Sequence, residues 1–173
     1  MTDEQTPPRS RGPNAGEPHP LEGILSFWET VVEDAENTAE EYESEGWETL
    51  VLHPGDVTVL PPANLPDATD RVGFDILVPG DEFETLSEWV EAGTFDRYDV
   101  YRAREGGTVF AVSVVQAAAE EQAVVVPLYY AIDRVDVMAK KAREQSELRL
   151  YVRPLDAERR VELVQADPDP LFV

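Results

Sequence analysis

His53 is the one histidine outside the proline-rich start of the chain, and it sits in the run His53-Pro54-Gly55-Asp56. An imidazole with a carboxylate three residues away could act as a general acid and base, or give two ligands to a metal. The same four residues also spell a turn, in which Gly55 takes the awkward backbone angles and Asp56 caps it. No second histidine, no cysteine and no ordered carboxylate cluster accompanies them, so neither a metal nor another cofactor is expected there.

A second set is dispersed along the chain. Tyr129 and Tyr130, with Tyr98, Tyr101, Tyr151, Arg102, Arg149 and Arg153, could line a pocket for an anionic or planar ligand, because arginine grips carboxylate or phosphate in a fork. In so acidic a chain the competing expectation is that each arginine pairs with an Asp or Glu on a sheet face. Gly106-Gly107 reads as a hairpin turn, since the lysine and the following helix of a phosphate loop are both missing. Asp67, Asp70 and Asp75 lack the spacing and the glycine of a calcium loop. With no cysteine in the chain, disulfides, thiolate catalysis and cysteine-ligated zinc are excluded together.

Periodicity outlines the elements that must position these groups. Ile24, Phe27, Trp28, Val31, Ala35, Thr38, Ala39 and Tyr42 recur at three- and four-residue steps, which makes one buried stripe of a long helix. Glu29, Glu33, Glu36, Glu40 and Glu43 fall on its other side, with Pro20 near the start and Gly46 past the end. Strands follow at 48–53 and 57–60, as a hairpin around the His-Pro-Gly-Asp turn, and at 72–78. Asp81 and Glu84 have the spacing of a capping box for a helix with Phe83, Leu86, Trp89 and Val90 inward and Gly93 as its stop. Residues 98–104 and 108–115 form a hairpin whose second strand is nearly all apolar, so both its faces should be covered. A strand at 123–132 contains Pro127, which belongs at an edge or a bulge. Asp133 opens a helix running to about Ser146 with Val135, Met138 and Ala142 inward. Residues 148–153 and 160–164 make a last hairpin, and 167–173 an extended tail.

Composition sets the environment. The 173 residues carry 36 acids against 14 bases, a net charge of −22, and only Lys140 and Lys141 are lysines. At molar salt the screening length falls to about 3 Å, and the self-repulsion of such a coat nearly vanishes. Acids spread over every element and scarce lysine therefore point to a salt-adapted cytoplasm. No basic stripe exists to neutralise phosphates, so nucleic acid is not an expected partner. No apolar run of about 18 residues and no charged-then-apolar leader occurs, so neither a membrane span nor a secretory signal is expected. Residues 1–20, rich in proline and polar filler, read as a disordered leader, and 21–166 as one α+β domain.

The expected elements run helix, strand, strand, strand twice, then helix, strand, strand, at a spacing of about fifty residues. Residues 112–117 can be laid on 161–166, so an αβββ duplication is one reading and the ordinary rhythm of an antiparallel α+β domain is the other. The run from Trp47 to Leu60, with 75–79, 150–154 and 167–172, resembles the small acidic haloarchaeal proteins of unknown function. That resemblance covers residues 24–172 and implies a salt-loaded host and a cytoplasmic setting, with no site residues. The expected fold is α+β, mostly antiparallel, with seven or eight strands and three helices. The expected function is a non-enzymatic interaction module, with a protein partner or a homodimer. Its alternative is a small-ligand-binding or enzymatic domain whose cleft gathers His53, Asp56, Tyr129, Tyr130, Arg149 and Arg153.

Overall fold

The computed structural model describes residues 20–156 and 158–172, and side chains from residue 25 onward. The expected leader lies, Pro20 apart, outside the described residues. The chain forms two compact units, residues 1–30 and 31–173. Of the first, the described part is the opening of a helix, α1 (Pro20–Ser44). All that follows concerns the second.

After α1 come β1 (Glu48–Val51), β2 (Asp56–Leu60), β3 (Gly73–Leu77), α2 (Gly80–Ala92), β4 (Arg97–Glu105), β5 (Thr108–Ala117) and β6 (Gln122–Ala131). The chain ends with α3 (Asp136–Gln145), β7 (Leu148–Arg153) and β8 (Val161–Gln165). The strands make two four-stranded sheets, one in the order β1-β6-β5-β4 and the other β2-β3-β7-β8. Each is mixed: β1 runs parallel to β6 and β3 parallel to β7, while the other pairings are antiparallel. The fold is therefore α+β, as its patterning implied. The element order keeps the αβββ rhythm, but the triplets are wired differently. The first divides its strands between the sheets and the second stays in one, so the order alone does not establish a duplication.

The two sheets share one core. Phe74 and Ile76 of β3 and Leu148, Leu150 and Val152 of β7 meet Val109, Ala111 and Val115 of β5 and Val124, Val126, Leu128 and Tyr130 of β6. Phe83 and Leu86 of α2 and Met138, Ala139 and Ala142 of α3 complete it. The first sheet is covered on its other face as well. Val31, Ala35 and Ala39 of α1 are buried, and Gln116 of β5 donates to the Tyr42 hydroxyl at 3.0 Å and to Asp99 at 3.0 Å. That coverage is why β5 and β6 read as unbroken apolar runs. Burial, then the Asp99 charge, pushes the Tyr42 hydroxyl up to about 12.

The expected hairpin across His53–Asp56 does not form. Leu52 still donates to the Val125 carbonyl at 2.9 Å, but the chain then leaves for the second sheet, where Gly55 donates to the Leu77 carbonyl at 2.8 Å. Pro54 has no N–H for a returning ladder, and Val57 and Val59 find partners on β3 instead. This departure explains Pro127. The carbonyls of Glu121 and Val125 face β1, accepting from Glu48 and Leu52, so by alternation the nitrogen of Pro127 faces the same side, beyond the point where β1 has ended. The proline sits on a local edge, as its chemistry requires.

Two smaller expectations are corrected. Pro79 occupies the N-cap of α2 and no side chain caps it, so the Asp81–Glu84 capping box is absent and both acids lie inside the helix. Residues 169–171 close as a 3-10 turn instead of an extended tail. Leu171 and Phe172 are buried there, and the Tyr130 hydroxyl donates to the Leu171 carbonyl at 2.7 Å.

Candidate functional site

His53 lies where the chain crosses from β1 to β2, with its side chain 45% exposed. Its ring is not held by Asp56, whose carboxylate instead accepts the Thr58 hydroxyl at 3.0 Å. Glu82, in the first turn of α2, takes the His53 backbone N–H at 2.7 Å through one oxygen and Nδ1 at 2.7 Å through the other. Nε2 lies 3.3 Å from a carboxylate oxygen of Glu36 on α1. Burial works to lower the imidazole pKa, but the hydrogen bonds and charges of Glu82 and Glu36 outweigh it and raise the value above its ordinary 6.5. A ring flanked by two carboxylates favours the imidazolium, in which both nitrogens donate and no lone pair is left to accept a proton or bind a metal. His53 thus acts as a clasp joining α1, the crossover and α2. Sequence reasoning missed both glutamates. Seventeen and twenty-nine residues away, they look like ordinary members of polar helix faces.

Beside the ring opens a cleft of about 530 Å³, lined by His53, Leu77, Val78, Pro79, Leu155 and Arg159 among others. Arg159 is held by Glu84 at 2.5 Å and Asp156 at 3.4 Å, and stacks on Phe83 at 5.1 Å.

The remaining candidates lie elsewhere. Tyr129 and Tyr130 line a separate hollow of about 250 Å³ with Val57, Thr58, Pro62 and Arg134. Burial, then the Asp56 charge, raises the Tyr129 hydroxyl, and a bond to the Val57 backbone opposes them. Arg149 and Arg153 project from the face of the second sheet that points away from the core. Arg149 bonds Glu147 at 3.1 Å and Glu162 at 2.8 Å, while Arg153 Nε lies 3.1 and 3.0 Å from the two oxygens of Asp75. The bond from Arg149 is the main reason the Glu162 carboxyl is held below its usual range. Between the two arginines the Tyr151 ring is stacked by Arg71 at 5.5 Å and Arg160 at 5.6 Å. Tyr98, Tyr101 and Arg102 belong to β4. Tyr98 exchanges hydrogen bonds with Asp167, accepting from its N–H at 2.6 Å and donating to its carbonyl at 3.0 Å, and Arg102 donates to the Pro170 carbonyl at 2.6 Å.

The expected single cleft is therefore replaced by separate places, and Arg149 and Arg153 are paired with acids on a sheet face. Among the described residues no group of three or more His, Asp or Glu side chains is spaced to hold a metal ion. Nor, among them, is any helix long and apolar enough to cross a membrane. No described Asp or Glu is buried, and only Asp75, Glu82 and Glu147 are half-buried.

Fold and site together define an α+β protein of two mixed sheets with a carboxylate-covered surface. The chain belongs to a family of unknown function, DUF7529, whose model matches residues 17–173. No curated protein and no solved structure matches it.

Proposed function

We propose that this protein is a non-enzymatic interaction module working in the cytoplasm of a salt-adapted organism. One observation carries the reading: the groups with chemical potential are dispersed, and His53, Arg149 and Arg153 already spend their polar atoms on neighbouring carboxylates. The acids support the salt half. Those among the described residues lie on the surface or half-buried, where hydration and screening by concentrated cations make them tolerable, and in dilute buffer they repel one another. Circular dichroism is expected to show partial unfolding below about 0.2 M salt, reversed by molar KCl; full structure in dilute buffer would count against it. Cross-linking in molar KCl tests the interaction half, with links to another chain expected and intramolecular links alone opposing it.

The cleft beside His53 favours a second reading, a small-ligand site with an apolar floor of Leu77, Val78 and Pro79. A ligand there would shift the His53 ring resonances and raise the melting temperature in wild type but not in Leu77→Trp. An unchanged spectrum across a library of small metabolites would remove this alternative.

A further inference from the structure

β4 is unlike the rest of the surface. It is an edge strand of nine residues, whereas the other three edges, β1, β2 and β8, have four, five and five. In a chain with 36 acids and 14 bases it carries three arginines, Arg97, Arg102 and Arg104, against two acids, Asp99 and Glu105. Seven of its nine residues are exposed. Long open edges pair with other strands, and proteins ordinarily blunt them by shortening, covering or like charge.

The direction of its free backbone groups can be worked out. β4 and β5 pair Glu105 with Thr108 across the two-residue turn Gly106-Gly107, and in such a hairpin the pair next to the loop is hydrogen-bonded. The odd-numbered residues of β4 therefore face β5, and Tyr98, Val100, Arg102 and Arg104 present N–H and C=O outward. The same alternation, carried through β5 and β6, aims the Val125 carbonyl at β1, where it does accept from Leu52. Among the described residues no backbone group of another segment meets those outward groups. The turn at residues 169–171 runs close to β4, and among the described residues the hydrogen bonds between the carboxyl-terminal segment and the strand are made by the Tyr98 and Arg102 side chains, leaving the strand's outward N–H and C=O groups unused.

We infer that β4 pairs antiparallel with β4 of a second copy of this chain, joining two four-stranded sheets into one of eight strands. This rests on the interaction reading and names its partner. A two-fold axis through Tyr101 sets the outward-facing residues opposite one another, Tyr98 against Arg104 and Val100 against Arg102, so that their N–H and C=O groups exchange bonds. The intervening pairs then place Arg97 opposite Glu105 twice, Asp99 opposite Ala103 twice, and the two Tyr101 rings against each other. Opposite charges and arginine–aromatic pairs are favourable cross-strand neighbours. Sliding one strand by two residues loses this match: it brings either Arg97 opposite Ala103 or Arg102 opposite itself. The alternating signs that would repel an arbitrary strand are self-complementary in this register.

Light scattering on the full chain in molar KCl tests the pairing. Wild type is expected at twice the 19.3 kDa chain mass. Arg102→Pro removes one outward N–H, which an edge strand tolerates, and should give a monomer with an unchanged dichroism spectrum. Should that variant fold poorly, Glu105→Arg puts arginine opposite Arg97 and is expected to weaken the dimer at least tenfold, with Arg97→Glu added to Glu105→Arg restoring it. A wild-type monomer at millimolar protein overturns the pairing and leaves the interaction reading to a different partner. A dimer indifferent to all three variants overturns it too, while showing that the chain associates by another surface.

Discussion

The two sheets share a core but meet water differently, and the contrast explains most of the chain's patterning. The first is covered on both sides, by the second sheet and by α1 from Val31 onward, and its central strands β5 and β6 run nearly unbroken in apolar residues. The second has a more open outer side: with Leu148, Leu150 and Val152 of β7 inward, that side carries half-buried Arg149 and Arg153 and, between them, the Tyr151 ring, buried beneath Arg71 and Arg160. Its open face is a lattice of arginines, carboxylates and one tyrosine. Burying a face demands apolar residues; leaving it wet in an anionic chain uses scarce arginine to neutralise neighbouring acids.

The widest test of that contrast is one substitution made twice. Val114, 0% exposed on the α1-facing side of β5, and Val164, 39% exposed on the outer side of β8, are both strand valines. Val114→Asp strands a carboxylate between α1 and the sheet with nothing to pair it, and should cost more than about 4 kcal/mol, enough to unfold the domain. Val164→Asp faces water and stands opposite Arg149 in register, so its cost should be about 1 kcal/mol or less. Urea denaturation in molar KCl measures both, and similar losses at the two sites would erase the distinction between the sheets.

What was legible follows the same division. Element types and order were readable because α1, α3 and β8 each bury one face, which imposes a period, while β5, buried on both, shows as a nearly unbroken apolar run. The partition into two sheets was not, because the crossover at His53-Pro54-Gly55-Asp56 has the composition of a hairpin turn; only the parallel partner of β1, seventy-four residues on, distinguishes them. The candidate residues were legible one by one as groups with polar chemistry. Their separation was not, since it depends on which sheet each strand joins. His53 stands out in the sequence as an imidazole, yet its partners Glu82 and Glu36 are hidden there because ion pairs across elements leave no spacing signal.

A smaller effect is expected at the junction of β3 and β7. Gly73 has φ +145°, and a Cβ built there would stand 1.8 Å from the Arg149 carbonyl oxygen, in a pairing held by the bond from Arg149 N–H to the Val72 carbonyl at 3.0 Å. Neither backbone can yield without loosening the parallel pair, so Gly73→Ala should cost roughly 3 kcal/mol. Gly107→Ala, at a hairpin where nothing lies within 4 Å, is its control. Equal melting temperatures would mean that the second sheet is looser than its register implies.

The smallest effect concerns the clasp, which ties elements of both sheets. His53 has a folded-state pKa raised above its unfolded value of about 6.5, so its contribution to stability is complete below that pH and is lost as pH rises through the raised value. Wild type should therefore lose an increment of stability on the alkaline side of 6.5, and His53→Gln should be flat through the same window. The order of loss is set by geometry. Glu82 holds the His53 backbone N–H and Nδ1 at 2.7 Å, whereas Nε2 lies 3.3 Å from Glu36, so a neutral ring that keeps its proton on Nδ1 loses the Glu36 contact first. Ring titration by NMR should then find Glu82→Gln lowering the His53 pKa more than Glu36→Gln does. Molar KCl should shrink both differences, since the ring and Glu36 are each about half exposed and their attraction is open to screening. The reverse order of the two variants would place the clasp's main contact on α1, and the crossover would then be held by the helix covering the first sheet instead of by α2.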